Sequence, residues 1–219
     1  MQNISSPDPI FTLVALGLLG LAPFLAVMVT SFAKLVVVMG LARNALGLQQ
    51  VPPNLVLNGL ALVISLYVMA PVAGQIYSQA GGLLTRGGAQ AGNLVSIFDS
   101  AREPLRAFLA KHAQPAEREF FVRSARKIWP EKDAAALTPD DLLVLAPAFT
   151  VTELTAAFKI GFLIYLTFVV IDLVVANVLV ALGMMMFSPT VVSTPLKLLL
   201  FVLLDGWAKL VHGLILTYQ

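Results

Sequence analysis

Eight titratable side chains sit inside or beside long apolar runs: Lys34, Glu153, Lys159, Asp172, Lys197, Asp205, Lys209 and His212. Such groups could pair with one another, carry protons, or mark contacts with other polypeptides. A charge at the centre of a bilayer costs about 2.5–3.5 kcal/mol on insertion scales, so several in one chain imply faces that meet protein or water. Lys34 and Lys159 can snorkel towards an interface. Glu153 follows Thr150 and Thr152 at an expected helix start, where a carboxylate suits the positive end of the dipole. Asp205 and Lys209 lie four apart, which predicts an internal pair on one helical face. Asp172 has no basic residue within a turn, so its partner must come from a backbone terminus, Asn177 or another subunit. His212 reads as an interfacial side chain.

No catalytic constellation emerges. Asp205 and His212 are seven apart without a matched serine, a weak basis for a triad. Two His and no Cys make a structural zinc site implausible and exclude disulfides and thiolate chemistry. No Gly-rich, phosphate-cradling motif precedes a Lys and a Ser or Thr. The expectation is a chain that is not an enzyme and uses no metal or cofactor. A formal charge of +2, with Lys and Arg not gathered in a stripe, argues against nucleic acid.

Met184, Met185 and Met186 close a mostly apolar run that begins at Gly161, and Phe187-Ser188-Pro189 follow at once. Unbranched, polarizable thioethers suit a surface that must seal and then reshape. A buried, Met-rich helix end is the alternative reading of the same residues.

These residues must be positioned by a membrane-class chain: 219 residues, 58% hydrophobic and 12% charged, with mean hydropathy +0.88. Four apolar segments are expected as helices, at about Ile10–Leu41, Leu55–Tyr77, Leu154–Phe187 and Val191–Leu216. Each reaches the roughly 20 residues that cross a bilayer. Pro23 and Lys34 interrupt the first. The first pair is joined by a polar tip containing Gln49, Gln50, Pro52, Pro53 and Asn54, with Gly47 as a helix terminator and Asn54 as a cap. The second pair turns through Ser188-Pro189 and Ser193-Thr194-Pro195, a loop of roughly eight residues.

Between the pairs, Asp99 to Asp141 holds eight Lys or Arg against eight Asp or Glu. Leu105, Phe108 and Leu109, then Phe120, Phe121 and Ile128, fall at helical spacing, so a small helical domain with a wet face is expected. The expected class is all-α: a hydrophobic hairpin over 1–78, a polar helical middle domain over 79–150, and a second hydrophobic hairpin over 151–219. Lys34 and Arg43 flank the first tip without an acid, which places that tip in the cytosol and the middle domain outside. The first basic residue is Lys34 and the N-terminus carries Asp8, so no cleavable signal peptide is expected.

Several phrases together resemble one family. Ser31-Phe32-Ala33-Lys34-Leu35-Val36-Val37-Val38 leads to Leu41-Ala42-Arg43-Asn44-Ala45-Leu46-Gly47 and Gln49-Gln50-Val51-Pro52-Pro53-Asn54. Later come Thr152-Glu153-Leu154, Ala157-Phe158-Lys159-Ile160-Gly161-Phe162, Ile171-Asp172-Leu173-Val174-Val175-Ala176 and Gly183-Met184-Met185-Met186. Pro195-Leu196-Lys197-Leu198-Leu199-Leu200-Phe201 and Asp205-Gly206-Trp207 complete the set. They are similar to the SctR/FliP family, core export-gate subunits of type III secretion systems and the flagellum. Flagellar members typically begin with a cleavable signal sequence; none is expected here, which favours the injectisome, or virulence, branch.

The resemblance implies a pentamer that joins SctS-like and SctT-like subunits in a helical, tapering gate. It also implies SctU-like and SctV-like proteins nearby, in the bacterial inner membrane, with the assembly projecting towards the periplasm. Unfolded secretion substrates would pass through the ring. Met184, Met185, Met186 and Phe187 would form a pore gasket, and Glu153 and Lys197 an inter-subunit ion pair. Lys34, Lys159, Asp172, Asp205 and Lys209 would be polar positions buried on assembly. The rival reading is a small ion-coupled transporter with Asp172 as intramembrane proton carrier.

Overall fold

A computed structural model describes Gly17, Gly20, Leu21, Pro23, Phe24 and the residues 26–84 and 91–219. The described residues are helical and contain no strand. The helices are α1 (Phe32–Ala45), α2 (Asn54–Leu84), α3 (Ala91–His112), α4 (Pro115–Ile128), α5 (Glu131–Ala135), α6 (Leu142–Ala181), α7 (Pro189–Leu203) and α8 (Gly206–Leu216). Hairpin α1–α2, the shorter helices α3–α5 and hairpin α6–α7 follow the expected order. α2 runs through position 79 and α6 through position 150 without a break.

Four local expectations are corrected. The first segment breaks at Val29–Ser31, and Lys34 lies inside α1 instead of interrupting a helix. The Thr150 hydroxyl reaches that break: its one proton is shared between the Ala146 carbonyl at 2.8 Å and the Met28 carbonyl at 3.1 Å. The third segment starts at Leu142, so Glu153 lies well within a helix and cannot cap its start. The turn before α7 is shorter than expected, because Pro189 occupies the first turn of α7 and Pro195 lies within it. A proline at a helix start gives up an N–H that would be unpaired anyway. The fourth segment is not one helix: α7 and α8 meet at a 61° bend, where Asp205 has φ 52°.

Helices α2 and α6 are long and apolar enough to cross a membrane, over Asn54–Gln79 and Leu142–Ala181. The α7–α8 pair qualifies only as a bent span. Forty residues make α6 about 60 Å long at 1.5 Å per residue, roughly twice a hydrocarbon core. Its first third is claimed by protein: Leu145, Ala148 and Phe149 pack with Leu109 and Ala113 at the end of α3. The charged middle stretch therefore leans on α6. Arg106 Nε donates to the Asp140 carbonyl at 2.9 Å and Arg118 pairs with Asp140 at 3.1 Å, tying α3 and α4 to the approach to α6. There the Asp141 carboxylate takes the Thr138 N–H and hydroxyl, at 2.7 and 2.9 Å, and those bonds hold its pKa below the usual range.

The core is built around α1. Leu35, Val38 and Met39 are fully buried and pack with Leu57, Ala61 and Ile64 of α2, Ala157 of α6 and Leu214 of α8. Ser31 and Ser65 join hydroxyls across the α1–α2 contact at 3.1 Å, so neither is orphaned. At the other end, Ala45 and Leu46 meet Phe168 of α6, with Phe201 of α7 alongside. Among apolar helices in lipid, association depends on close packing more than on exclusion of water, and small residues at crossings permit it. Gly161 is such a residue: a Cβ there would lie 2.2 Å from Leu41 Cδ1 and 3.0 Å from its Cβ.

Gly161→Ala should push α1 from α6 and cost about 1–3 kcal/mol, the usual price of overpacking. A lowered thermal midpoint of the detergent-solubilised chain is expected, and an unchanged midpoint would contradict the close crossing.

Candidate functional site: two ion pairs and a methionine turn

Four of the eight titratable groups in or beside the apolar runs, Lys34, Glu153, Asp172 and Lys197, gather into two nodes, one at each end of α1. At the first, Lys34 Nζ lies 3.1 Å from both carboxylate oxygens of Glu153, and both residues are buried. Tyr218, just beyond α8, donates its hydroxyl to the same carboxylate. Its ring also faces the ammonium, with Lys34 Nζ 4.0 Å from the ring centroid. His112 packs edge-on to that ring at 5.2 Å and Phe108 stacks on it at 6.3 Å. Burial, then the charge and hydrogen bond of Glu153, pushes the phenol pKa well up, so Tyr218 stays a donor. Burial first, then Lys111 and Lys34, lowers His112 and favours its neutral form.

This node fastens α1, α3, α6 and the C-terminal end at one point. Neither the snorkelling expected for Lys34 nor the dipole role expected for Glu153 survives, because each is the other's countercharge. Breaking a buried pair by removing one partner costs about 3–5 kcal/mol, since the remaining charge is stranded.

At the second node, Lys197 Nζ lies 2.5 Å from Asp172 Oδ2 and donates to the Ala45 carbonyl at 3.3 Å. Asp172 therefore has its partner 25 residues away on α7. The ammonium also sits at the negative C-terminal end of α1, where a cation is favoured. Asp172 Oδ1 is buried and has no hydrogen-bond partner among the described residues. It borders a cleft of about 790 Å³ lined by Asn44, Gln49, Thr190, Thr194 and Lys197 among others.

The hairpin tip closes one side of this cleft. Gly47 has φ +80°, as its expected role as helix terminator requires, and a Cβ would sit 3.0 Å from Thr194 Oγ1. Arg43 Nη1 crosses the tip to the Pro52 carbonyl at 3.1 Å and to Asn54 Oδ1 at 2.7 Å. Asn54 thus spends its side chain on Arg43 and not on a cap. Gln49, Gln50, Pro53 and Asn54 are exposed, with Pro52 half-buried.

Met184, Met185 and Met186 form the turn between α6 and α7, entered through Gly183 at φ +75°. Met186 is fully exposed, Met185 is 79% exposed, and Met184 and Phe187 are also open. The turn is an apolar protrusion from the chain.

Within one chain Glu153 and Lys197 belong to different nodes. Lys159, Asp205, Lys209 and His212 are exposed, and none has an ion-pair partner among the described residues. The expected Asp205–Lys209 side-chain pair is absent because Asp205 sits at the bend, where its backbone carbonyl accepts the Lys209 N–H at 3.0 Å. Tyr218 was missed by sequence reasoning. An aromatic next to the chain end is an ordinary feature, and only its contact with a buried charge gives it meaning.

Tyr218→Phe keeps the ring over Lys34 but removes a donor from a buried carboxylate, which should cost about 1–3 kcal/mol. Tyr218→Ala should cost more, because the ring contacts go too. Denaturant unfolding in detergent checks both, and two variants as stable as the parent would contradict the node.

Residues 15–214 match the FliP family. The chain is 53% identical to the hypersensitivity response secretion protein HrcR of Ralstonia nicotianae, over 100% of each chain. It is 53% identical to the Yop proteins translocation protein R of Yersinia pestis, over 98% of this chain and 99% of that one. It is 45% identical to the virulence protein YscR of Salmonella typhimurium, over 99% and 100%. The paired charges, the hairpins and the methionine turn all fall within these matches, and the chain belongs to the FliP family.

Proposed function

We propose that this membrane protein is a non-enzymatic, pore-forming subunit of a type III secretion export gate. It would act in the bacterial inner membrane, with the assembly projecting towards the periplasm and conducting unfolded protein substrates. The exposed methionine turn carries the reading. Three thioethers and Phe187 at a protruding, apolar turn are poor in water and well suited to closing against copies of themselves. In a homo-oligomer, a pentamer by the resemblance, these turns would converge on the passage as a gasket that deforms around a moving chain. The names of the relatives, secretion and translocation proteins, support a role in secretion. SctS-like and SctT-like subunits would complete the gate, with SctU-like and SctV-like proteins close by.

Extensive uncovered apolar surface supports assembly. Leu62, Val63, Leu66 and Tyr67 of α2, and Phe158, Phe162, Leu163, Val170, Leu173 and Val174 of α6, are exposed in the single chain. The second reading, an ion-coupled transporter working through Asp172, is weakened by the bond that Lys197 makes to that carboxylate. A carboxylate that already holds an ammonium is a poor proton carrier.

Replacing Met184, Met185 and Met186 together with Ala should raise small-ion leak through an opened gate. Single-channel or membrane-potential recordings would show it, and parental conductance would contradict the gasket. By the resemblance, Glu153 would pair in the assembled ring with Lys197 of the neighbouring copy, for which each would have to leave the partner it holds in the single chain, Lys34 and Asp172 respectively. Glu153→Lys should therefore abolish secretion, and adding Lys197→Glu should partly restore it. Rescue by Lys34→Glu alone would place the functional pair wholly within one chain.

A further inference from the structure

Two exposed features of the apolar region carry unpaired charges of opposite sign. The first is a groove on α6 of about 500 Å³, lined by Val151, Leu154, Thr155, Phe158, Lys159 and Phe162. Lys159 lies near the middle of α6, and no acid pairs with it among the described residues. The second is the elbow where α7 turns into α8. There Val202, Leu203 and Leu204 are 70%, 68% and 57% exposed, and the Asp205 carboxylate beside them has no partner among the described residues.

A lone ammonium midway along an apolar helix demands an anion, and an acid on a greasy corner demands a cation. The groove is shallow and apolar around a base; the elbow is exposed and apolar beside an acid. They lie on different parts of one chain, so one copy's elbow can enter the next copy's groove. Such a contact is heterologous and propagates head to tail.

The antiparallel packing of α6 and α7 sets its level. Asp172 meets Lys197 and Phe168 meets Phe201, pairs whose numbers share one sum, so Asp205 lies beside about residue 164. That is roughly 7 Å along the helix axis from Lys159 at 1.5 Å per residue. A long lysine side chain and a small axial step between copies cover that offset. Lys209 and His212, the other exposed titratable groups on α8, lie one and two turns beyond Asp205.

We infer that the Val202–Asp205 elbow of each copy docks in the Val151–Phe162 groove of the next, with Asp205 paired to Lys159. The inference rests on the homo-oligomer proposed above and specifies its subunit contact.

Because the chain has no Cys, introduced thiols report unambiguously. One full-length population carries Lys159→Cys, another Asp205→Cys, with different tags, both co-expressed with the rest of the secretion components. Oxidation of the membranes should give a mixed-tag disulfide dimer at least ten-fold above that from either population alone. In separate charge variants, Lys159→Glu and Asp205→Lys should each cut the extractable complex about ten-fold, and their combination should restore most of it. A crosslink from Lys159→Cys to its own kind, or from Asp205→Cys to a thiol placed at Lys209, would overturn the contact. So would an intact oligomer with no mixed-tag dimer, which leaves the export-gate reading standing. A chain that stays monomeric among its partners would sink both.

Discussion

An ammonium group held away from water is tolerable only beside a carboxylate and further hydrogen-bond partners, and this requirement organises the chain. Lys34 on α1 meets Glu153 on α6, and Tyr218 closes the arrangement from the C-terminal end. Lys197 does the same at the far end of α1, holding Asp172 and the Ala45 carbonyl. Helix α1 is thus pinned at both ends, and its buried Leu35, Val38 and Met39 set the spacing of α2, α6 and α8 between the pins. Removing one charge strands another, most severely at the Lys34–Glu153 pin, where both partners are buried.

The architecture was legible in the sequence wherever it depends on local pattern. Apolar length marked α2 and α6, Pro52 and Pro53 marked the tip, and Gly47 took the left-handed conformation expected of a terminator. What depends on distant contact was not. Glu153 follows two threonines, which imitates a helix start, yet the helix begins eleven residues earlier, at Leu142. The partner of Lys34 is 119 residues away and that of Asp172 is 25 residues away, separations at which periodicity carries no information. The bend at Asp205 was hidden for another reason: a left-handed residue that is not Gly leaves no composition signal. Once the chain folds, charges that look misplaced in four apolar runs divide into paired ones that hold the fold and exposed ones that face outward.

That division connects packing to function. The paired charges lie around α1, the most buried helix, whereas the outer faces of α2, α6 and α7 are apolar and open. The helix α6 is far longer than a bilayer core is thick, and its first third is sheathed by α3. The rest carries Lys159 in an apolar groove and ends in the methionine turn. On the proposed reading, neighbouring polypeptides would finish these surfaces and the turns of bare thioethers would close on one another.

The central claim is that the open faces are covered by sister chains whose methionine turns share one axis. Imaging of the complex extracted in mild detergent tests it most directly. The account predicts a closed ring of copies with Met185 and Met186 of each converging on the central passage. A solitary chain surrounded by detergent, with those side chains directed outward, would contradict it.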